Sequence, residues 1–271
     1  MKLVSYWEAY VKLIAMGGNT TSLMNYPLIF FVFALIVLWL SAQFGAYLRR
    51  RRPLKDELRE DFGLVETATL TLLGLIIGFS FSMSTTRYDL RKNYDEAEAN
   101  AIGTEYVRAG LLPASDAATV RAQLRKYTEL RIEFYRTRDH EELQRVDADT
   151  AKLQSEMWSA VETPVKAQPT PLMTLTAAGM NDVLNSQGYT QAAWWNRIPS
   201  SAWALMIAIA VCCNVLVGYG ARSAKGIMLF ILPLVVSISF LLIADIDSPR
   251  RGFIHVVPQN LVSLLQSLPP Q

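Results

Sequence analysis

The sequence is poor in the residues on which disulfide frameworks and most catalytic or metal sites depend. It contains two cysteines, Cys212 and Cys213, and two histidines, His140 and His255. Adjacent cysteines cannot form an ordinary disulfide bond, and neither histidine is accompanied by a nucleophile or a second metal ligand at a recognisable spacing. The motifs HExxH, GxSxG and GxGxxG and the Walker-type loop are also missing. We therefore expect no enzyme activity, no cofactor and no metal site.

The chain also lacks a strong excess of either charge. Its 26 Lys and Arg against 24 Asp and Glu give a formal net charge of +2, which is too small to indicate a nucleic-acid partner. Hydrophobic residues make up 51% of the sequence. They are concentrated in four runs, whereas residues 85–199 have the composition of a soluble protein. The lipid bilayer is therefore the expected surrounding of the four runs.

Each run is long enough to cross a bilayer, whose hydrocarbon core is ~30 Å thick and needs about 20 apolar residues. The runs lie at about Pro27–Leu48, Leu64–Ser84, Ala202–Tyr219 and Gly226–Ala244. No stretch has the alternating pattern of a strand. We predict an all-α integral membrane protein with four transmembrane helices and an extramembrane helical bundle inserted between helices 2 and 3.

The expected domain boundaries follow the changes in composition. We expect an interfacial amphipathic segment over 1–26, transmembrane helices 1 and 2 over 27–84, the helical domain over 85–199, transmembrane helices 3 and 4 over 200–244, and a tail over 245–271. The tail contains a short amphipathic helix with four leucines on one face, Leu261, Leu264, Leu265 and Leu268.

Local signals place helix ends within the helical domain. Asp139 with Glu142 three residues later has the form of a capping box, and Thr170 before Pro171 predicts an N-cap followed by proline at the first helical position. We expect the helix that begins there to end near Gly188.

The second span is the stretch around which the chain is organised. Neither proline nor glycine interrupts the charged residues that follow it until Gly103. We therefore predict one long helix from Phe62 to Leu112, with its apolar half in the membrane and its charged half in the helical domain.

On a helical wheel this span has three faces. Small residues form a strip that is typical of close helix packing: Thr67, Thr71, Gly74, Gly78 and Ser82. The opposite face suits lipid or a neighbouring span: Ala68, Leu72, Leu75, Phe79 and Met83. Between the two lies a third line: Glu66, Leu73, Ile77, Phe81 and Ser84.

The third line has two interpretations. Around a symmetry axis, its apolar residues would form a constriction that can gate by dewetting, and Glu66 would form an acidic ring that attracts cations. Alternatively, Leu73, Ile77 and Phe81 are core residues, and Glu66 pairs with a nearby base such as Arg59.

Charged residues also follow the fourth span. Asp245, Asp247, Arg250 and Arg251 lie at the membrane boundary, where charges are candidate functional groups. They could bind an ion or anchor the helical domain; the alternative is that they form internal Asp–Arg pairs that end the helix.

The short loops predict the orientation of the chain in the cell inner membrane. Arg49 to Arg52 follow the first span, and Arg222 and Lys225 lie between the third and fourth spans. An excess of Lys and Arg marks the cytoplasmic side. The large helical domain is therefore predicted to be periplasmic or extracellular.

Three segments resemble a known family. They are Asp95–Thr104 (DEAEANAIGT), the Leu111-Leu112-Pro113 break, and Ile243–Gly252 (IADIDSPRRG). The sequence resembles the bacterial bestrophin-like family of unknown function, DUF4239. Bestrophins are pentameric anion channels of four spans, whose long second helix lines the pore and has apolar residues at four-residue spacing in its neck.

The resemblance implies a homo-oligomeric ion channel lined by the second helix, with the lipid bilayer, further copies of the chain and inorganic ions as its partners. The alternative is a non-conducting membrane scaffold or sensor whose helical domain binds a partner.

Overall fold

Helices form nearly all of the regular structure in residues 26–221 and 227–269, the part of the chain that the computed structural model describes. They are α1 (Pro27–Arg51), α2 (Arg59–Arg108), α3 (Ala114–Arg136), α4 (His140–Ala167), α5 (Pro171–Trp195), α6 (Ser200–Gly220), α7 (Met228–Asp247) and α8 (Gln259–Ser267). No strand occurs in this part of the chain, so the predicted all-α fold is confirmed. Residues 1–25 of the interfacial segment, together with Arg222 and Lys225, lie outside the described residues.

The four apolar runs fall in α1, α2, α6 and α7. Within the described residues, four helical segments are long and apolar enough to cross a membrane, as predicted. The second of them belongs to α2, an unbroken helix of 50 residues. The prediction of a single helix through the second span and the charged stretch is therefore confirmed.

The chain divides into two compact units. The first contains the residues up to Thr86 together with Arg197–His255, and the second contains Arg87–Asn196 together with the residues from Val256 onwards. We call them the first and second units.

Close backbone contact joins α1 to α6 within the first unit. A Cβ atom added to Gly45 would overlap the carbonyl oxygen of Val215, and one added to Gly218 would overlap that of Ala42. Small residues allow this approach, which gives membrane helices much of their packing energy. Near the N-terminal ends of the same two helices, the Phe30 ring meets the ring of Trp203 edge-on at a centroid distance of 5.2 Å.

Helices α3, α4, α5 and α8 bury a common apolar core with the charged half of α2 in the second unit. Both predicted N-caps are present: Asp139 accepts from the backbone N–H groups of Glu141 and Glu142, and Thr170 accepts from that of Met173. The amphipathic helix predicted near the C-terminus is α8, and its Leu261 is completely buried.

The predicted end of a helix near Gly188 is wrong, because α5 continues to Trp195. A glycine ends a helix mainly by adopting the left-handed conformation. None of the described glycines has a positive φ, so Gly188 is an ordinary interior position.

We expect Gly218→Ala to destabilise the protein by about 1–3 kcal/mol, because the added methyl group would force α1 away from α6. The matched control is Gly63→Ala, since a Cβ at Gly63 meets nothing within 4 Å. The thermal unfolding midpoint in detergent measures both. Equal midpoints for the two variants would contradict close α1–α6 packing.

Candidate functional site

One side of the apolar half of α2 packs into the first unit, and the other side is exposed in the single chain. The packed side is centred on Leu73, which is 2% exposed and belongs to the core of that unit. Ile77 is half-buried against the same core. The most exposed large side chain in the middle of the span is Phe79, at 64%.

This division separates the five residues predicted to line a pore. Phe81 is exposed, Glu66 and Ile77 are half-buried, and Leu73 and Ser84 are buried. A side chain in the core of its own chain cannot also face a lumen. In the single chain, Leu73 and Ser84 are covered by neighbouring residues, and Leu73 and Ile77 pack in or against the core of the first unit.

Glu66 lies against the end of α6. A Cβ atom on Gly220 would be 2.9 Å from Glu66 Oε2. Beside it, Arg49 Nη1 donates to the carbonyl oxygens of Tyr219 and Gly220 at 2.9 and 2.6 Å. A carboxylate and a guanidinium thus both pack at this helix terminus, where a cation is favoured by the helix dipole.

The strip of small residues on α2 packs against no other helix in the part of the chain that the structure describes. All five members are exposed: Thr67, Thr71, Gly74, Gly78 and Ser82. A Cβ atom added to Gly74 or Gly78 meets nothing within 4 Å, in contrast to Gly45 and Gly218. The strip is therefore open to contact from outside the described part of the chain.

A second apolar line with four-residue spacing lies on the exposed side. Leu75 is 52% exposed, Phe79 64% and Met83 46%. The helical wheel predicts that these residues face lipid or a neighbouring span, because it places them opposite the strip, although their spacing equals that of Leu73, Ile77 and Phe81. The spacing of the residues therefore cannot show which of the two apolar lines is exposed. Their burial shows that it is the line of Leu75, Phe79 and Met83.

The two aspartates after the fourth span hold backbone N–H groups of the first unit. Asp245 Oδ1 accepts from Phe253 N at 2.7 Å and Oδ2 accepts from Ile254 N at 2.8 Å. Asp247 accepts from Ile198 N at 3.1 Å. These contacts lie within the first unit, where they fix the segment after α7 and the segment before α6 to the end of α7.

The two arginines that follow differ in exposure: Arg250 is half-buried and Arg251 exposed. The Arg251 guanidinium lies over the Tyr26 ring, 4.7 Å from its centroid. Burial lowers the pKa of Arg197, with Asp247 opposing that effect and Arg251 adding to it. The boundary cluster is thus a set of charges fixed by partners within the first unit.

A row of four buried charged residues follows α2 through the second unit: Arg91, Asp95, Glu98 and Glu105. In the sequence, this stretch was noted only for its resemblance to a family. The row could have been found from the spacing of its members, because intervals of four, three and seven residues place all four on one face of a helix.

The first three members of the row each hold a different part of the second unit. Arg91 donates to the carbonyl oxygens of Ala193 and Asn196 at the end of α5. Asp95 Oδ2 accepts from Asn260 N at 3.2 Å and from its Nδ2 at 2.9 Å, at the start of α8.

Glu98 joins α2 to both α3 and α5. Its Oε1 accepts from Arg131 Nε, and its Oε2 accepts from Thr190 Oγ1 at 3.0 Å. Burial alone would lower the pKa of Arg131, but the charge and hydrogen bond of the adjacent Glu98 carboxylate, together with Tyr127 and Tyr135, outweigh burial and the pKa is raised. Burial, reinforced by the same carboxylate, raises the pKa of Tyr127 and Tyr135. The row therefore lies in a charged and water-excluded environment.

Comparison with known proteins gives a family and a fold. The family model described as Bestrophin-like domain matches residues 28–261. Among curated proteins no match was found. A crystal structure of a bacterial Bestrophin homolog from Klebsiella pneumoniae carrying a point mutation has a TM-score of 0.61 and 14% identity, covering 88% of this chain and 97% of that chain.

Two further solved structures give the same result. Another crystal structure of a bacterial Bestrophin homolog from Klebsiella pneumoniae has a TM-score of 0.60 at 15% identity, with 88% of this chain and 99% of that chain covered. A crystal structure described as a membrane protein variant has a TM-score of 0.60 at 14% identity, with 87% and 99% covered. At these identities the likeness shows the fold.

We expect Arg131→Met to destabilise the second unit by about 3–5 kcal/mol, because it leaves the Glu98 carboxylate buried without its cation. Lys166→Met is the control, since Lys166 pairs with Glu162 at the surface and such pairs contribute only about 0–1 kcal/mol. Unfolding monitored by circular dichroism in detergent tests this. The Glu98→Leu/Arg131→Met double variant should recover part of the loss; a double variant as unstable as the sum of the single variants would argue against the pair.

Proposed function

The chain belongs to the Bestrophin-like family, and on that premise we propose that it is a homo-oligomeric membrane channel for inorganic ions with a pore lined by α2. The proposed role is conduction and not catalysis. Its partners are the lipid bilayer, further copies of the same chain and the conducted ions.

The observation that carries the proposal is the exposed side of α2. Among the described residues, nothing covers most of one side of this apolar helix of the first unit, so lipid or another chain can meet it there. The small residues around Gly74 and Gly78 permit close approach but have no described neighbour within 4 Å. Because such strips support helix–helix contact in membranes, a second copy is the proposed occupant.

We place the constriction on Leu75, Phe79 and Met83. They lie about 100° around the helix axis from the strip, and not directly opposite it as predicted from the sequence, so α2 can contact a neighbouring copy on one flank and face a central lumen on the other. Rings of apolar side chains at successive turns can gate by dewetting. The proposed gate therefore does not include Leu73 or Ile77, because both side chains pack in or against the core of the first unit. Phe81 lies at the edge of the exposed side.

For orientation, we propose that the protein lies in the cell inner membrane with its helical domain outside the cytoplasm. The support is the sequence of four arginines from Arg49 to Arg52, which forms the end of α1 and the residue after it, because basic segments that flank a span remain on the cytoplasmic side.

Phe79→Ala should raise the ion leak of liposomes containing the purified protein several-fold, because it removes the largest side chain from the proposed constriction. Ile77→Ala is the matched control and should leave the leak near the wild-type level, since Ile77 packs against the core. Flux measured with an ion-sensitive dye distinguishes the two. A leak raised by Ile77→Ala and not by Phe79→Ala would contradict this gate and favour a constriction formed by Leu73, Ile77 and Phe81.

Absence of flux from wild-type protein that forms a ring in particle images would reject conduction and favour the scaffold. A ring with α2 innermost is the assembly expected for a channel; a monomer would provide no central pore.

A cysteine at Ser155, an exposed position on α4, tests the orientation. In a background with Cys212 and Cys213 replaced by serine, Ser155→Cys should react with a membrane-impermeant maleimide added to intact cells or spheroplasts. Labelling only after the cells are opened would place the helical domain in the cytoplasm.

A further inference from the structure

The last member of the charged row on α2 differs from the other three. Glu105 is completely buried, and neither of its carboxyl oxygens has a hydrogen-bond partner among the described residues. Arg91, Asp95 and Glu98 are each held by polar groups of other elements. Burial of an ionised carboxylate without hydrogen bonds is strongly unfavourable, and a group in such a position takes up a proton instead.

A notch on α5 receives the Glu105 side chain. A Cβ atom added to Gly179 would overlap Glu105 Oε2 and would lie 2.7 Å from Arg108 Nη1. Thr176, one turn before Gly179, donates its hydroxyl to the Arg108 carbonyl oxygen at 3.4 Å. The carboxyl group is thus enclosed where α2 meets α5, and water cannot reach its oxygens.

Two charged groups act on this carboxyl, and they oppose each other. Arg108, on α2, favours the ionised form, and Asp182, on α5, favours the protonated form. Burial is the largest influence and raises the pKa of Glu105 from its ordinary value of 4.5 to about 8. The folded protein therefore binds a proton here at neutral pH that the unfolded chain does not bind.

We propose that Glu105 is a proton-binding site of the second unit, protonated at neutral pH, and that release of the proton loosens the packing of α5 on α2. The ligand is a proton from the compartment that surrounds the unit. The inference concerns the second unit alone and does not depend on whether the protein conducts.

The direction of the pH effect follows from proton linkage. Between pH 4.5 and about 8 the folded state holds more protons at Glu105 than the unfolded state. The contribution of Glu105 to stability is therefore complete below pH 4.5 and is lost as the pH rises towards 8. Alkaline pH should weaken the α2–α5 contact, and acidic pH should strengthen it.

Infrared difference spectroscopy on the full-length protein in detergent tests the proposal directly. A protonated carboxyl shows its C=O stretching band, and wild-type protein should show one at about pH 7 that disappears by about pH 10 as the site passes its pKa. Glu105→Gln should lose this band, and Asp95→Asn should retain it. A wild-type spectrum without the band at about pH 7, or a band unaffected by Glu105→Gln, would overturn the proposal.

A surface variant keeps the test decisive if Glu105→Gln does not fold. Asp182 is exposed, so Asp182→Asn should fold and, by removing a negative charge, shift the midpoint of band loss to lower pH. Asp149→Asn, an exposed change on α4, should leave the midpoint in place. Identical midpoints for Asp182→Asn and wild type would place the titrating group elsewhere.

The notch itself has a matched pair of variants on α5. Gly179→Ala should lower the thermal unfolding midpoint, because the methyl group takes the space of the Glu105 carboxyl. Gly188→Ala should keep or raise it, because a Cβ at Gly188 meets nothing within 4 Å and alanine favours the helix. A stabilising Gly179→Ala would contradict the enclosed position of Glu105.

Discussion

The buried ion pair between Glu98 and Arg131 fixes which helices of the second unit meet. Both side chains are fully removed from solvent, and a buried charge without its partner costs about 3–5 kcal/mol. Thr190 completes the site from α5. An arrangement that separated α2, α3 or α5 would leave at least one of these groups unsatisfied, so the pair selects one packing among those that an apolar core alone would allow.

The first unit is specified by shape rather than by charge. Its closest helix contact, between α1 and α6, depends on the missing side chains of Gly45 and Gly218. Its buried carboxylates, Asp245 and Asp247, lie at the helix end and accept from backbone N–H groups. This difference follows from the surroundings, because apolar helices in lipid gain little from hydrophobic burial and associate through close packing.

Features that depend on a few neighbouring residues could be predicted from the sequence. The four spans, the continuity of α2 and the caps at Asp139 and Thr170 are of this kind. The burial of Glu98 could not be predicted in this way, because its partner Arg131 is 33 residues away and residues 85–112 have an ordinary soluble composition. The exposed side of α2 could not be predicted either, because two apolar lines on this helix share the same spacing. Which of them is buried depends on how the other helices pack against α2.

The two halves of α2 therefore differ in where their contact partners come from. In the charged half, partners for Arg91, Asp95 and Glu98 come from the chain itself, so these residues act on folding. In the apolar half, none of the described residues packs against the strip at Gly74 and Gly78. A second copy of the chain is the proposed partner of that strip, so substitutions there should act on assembly while leaving the fold of the single chain intact.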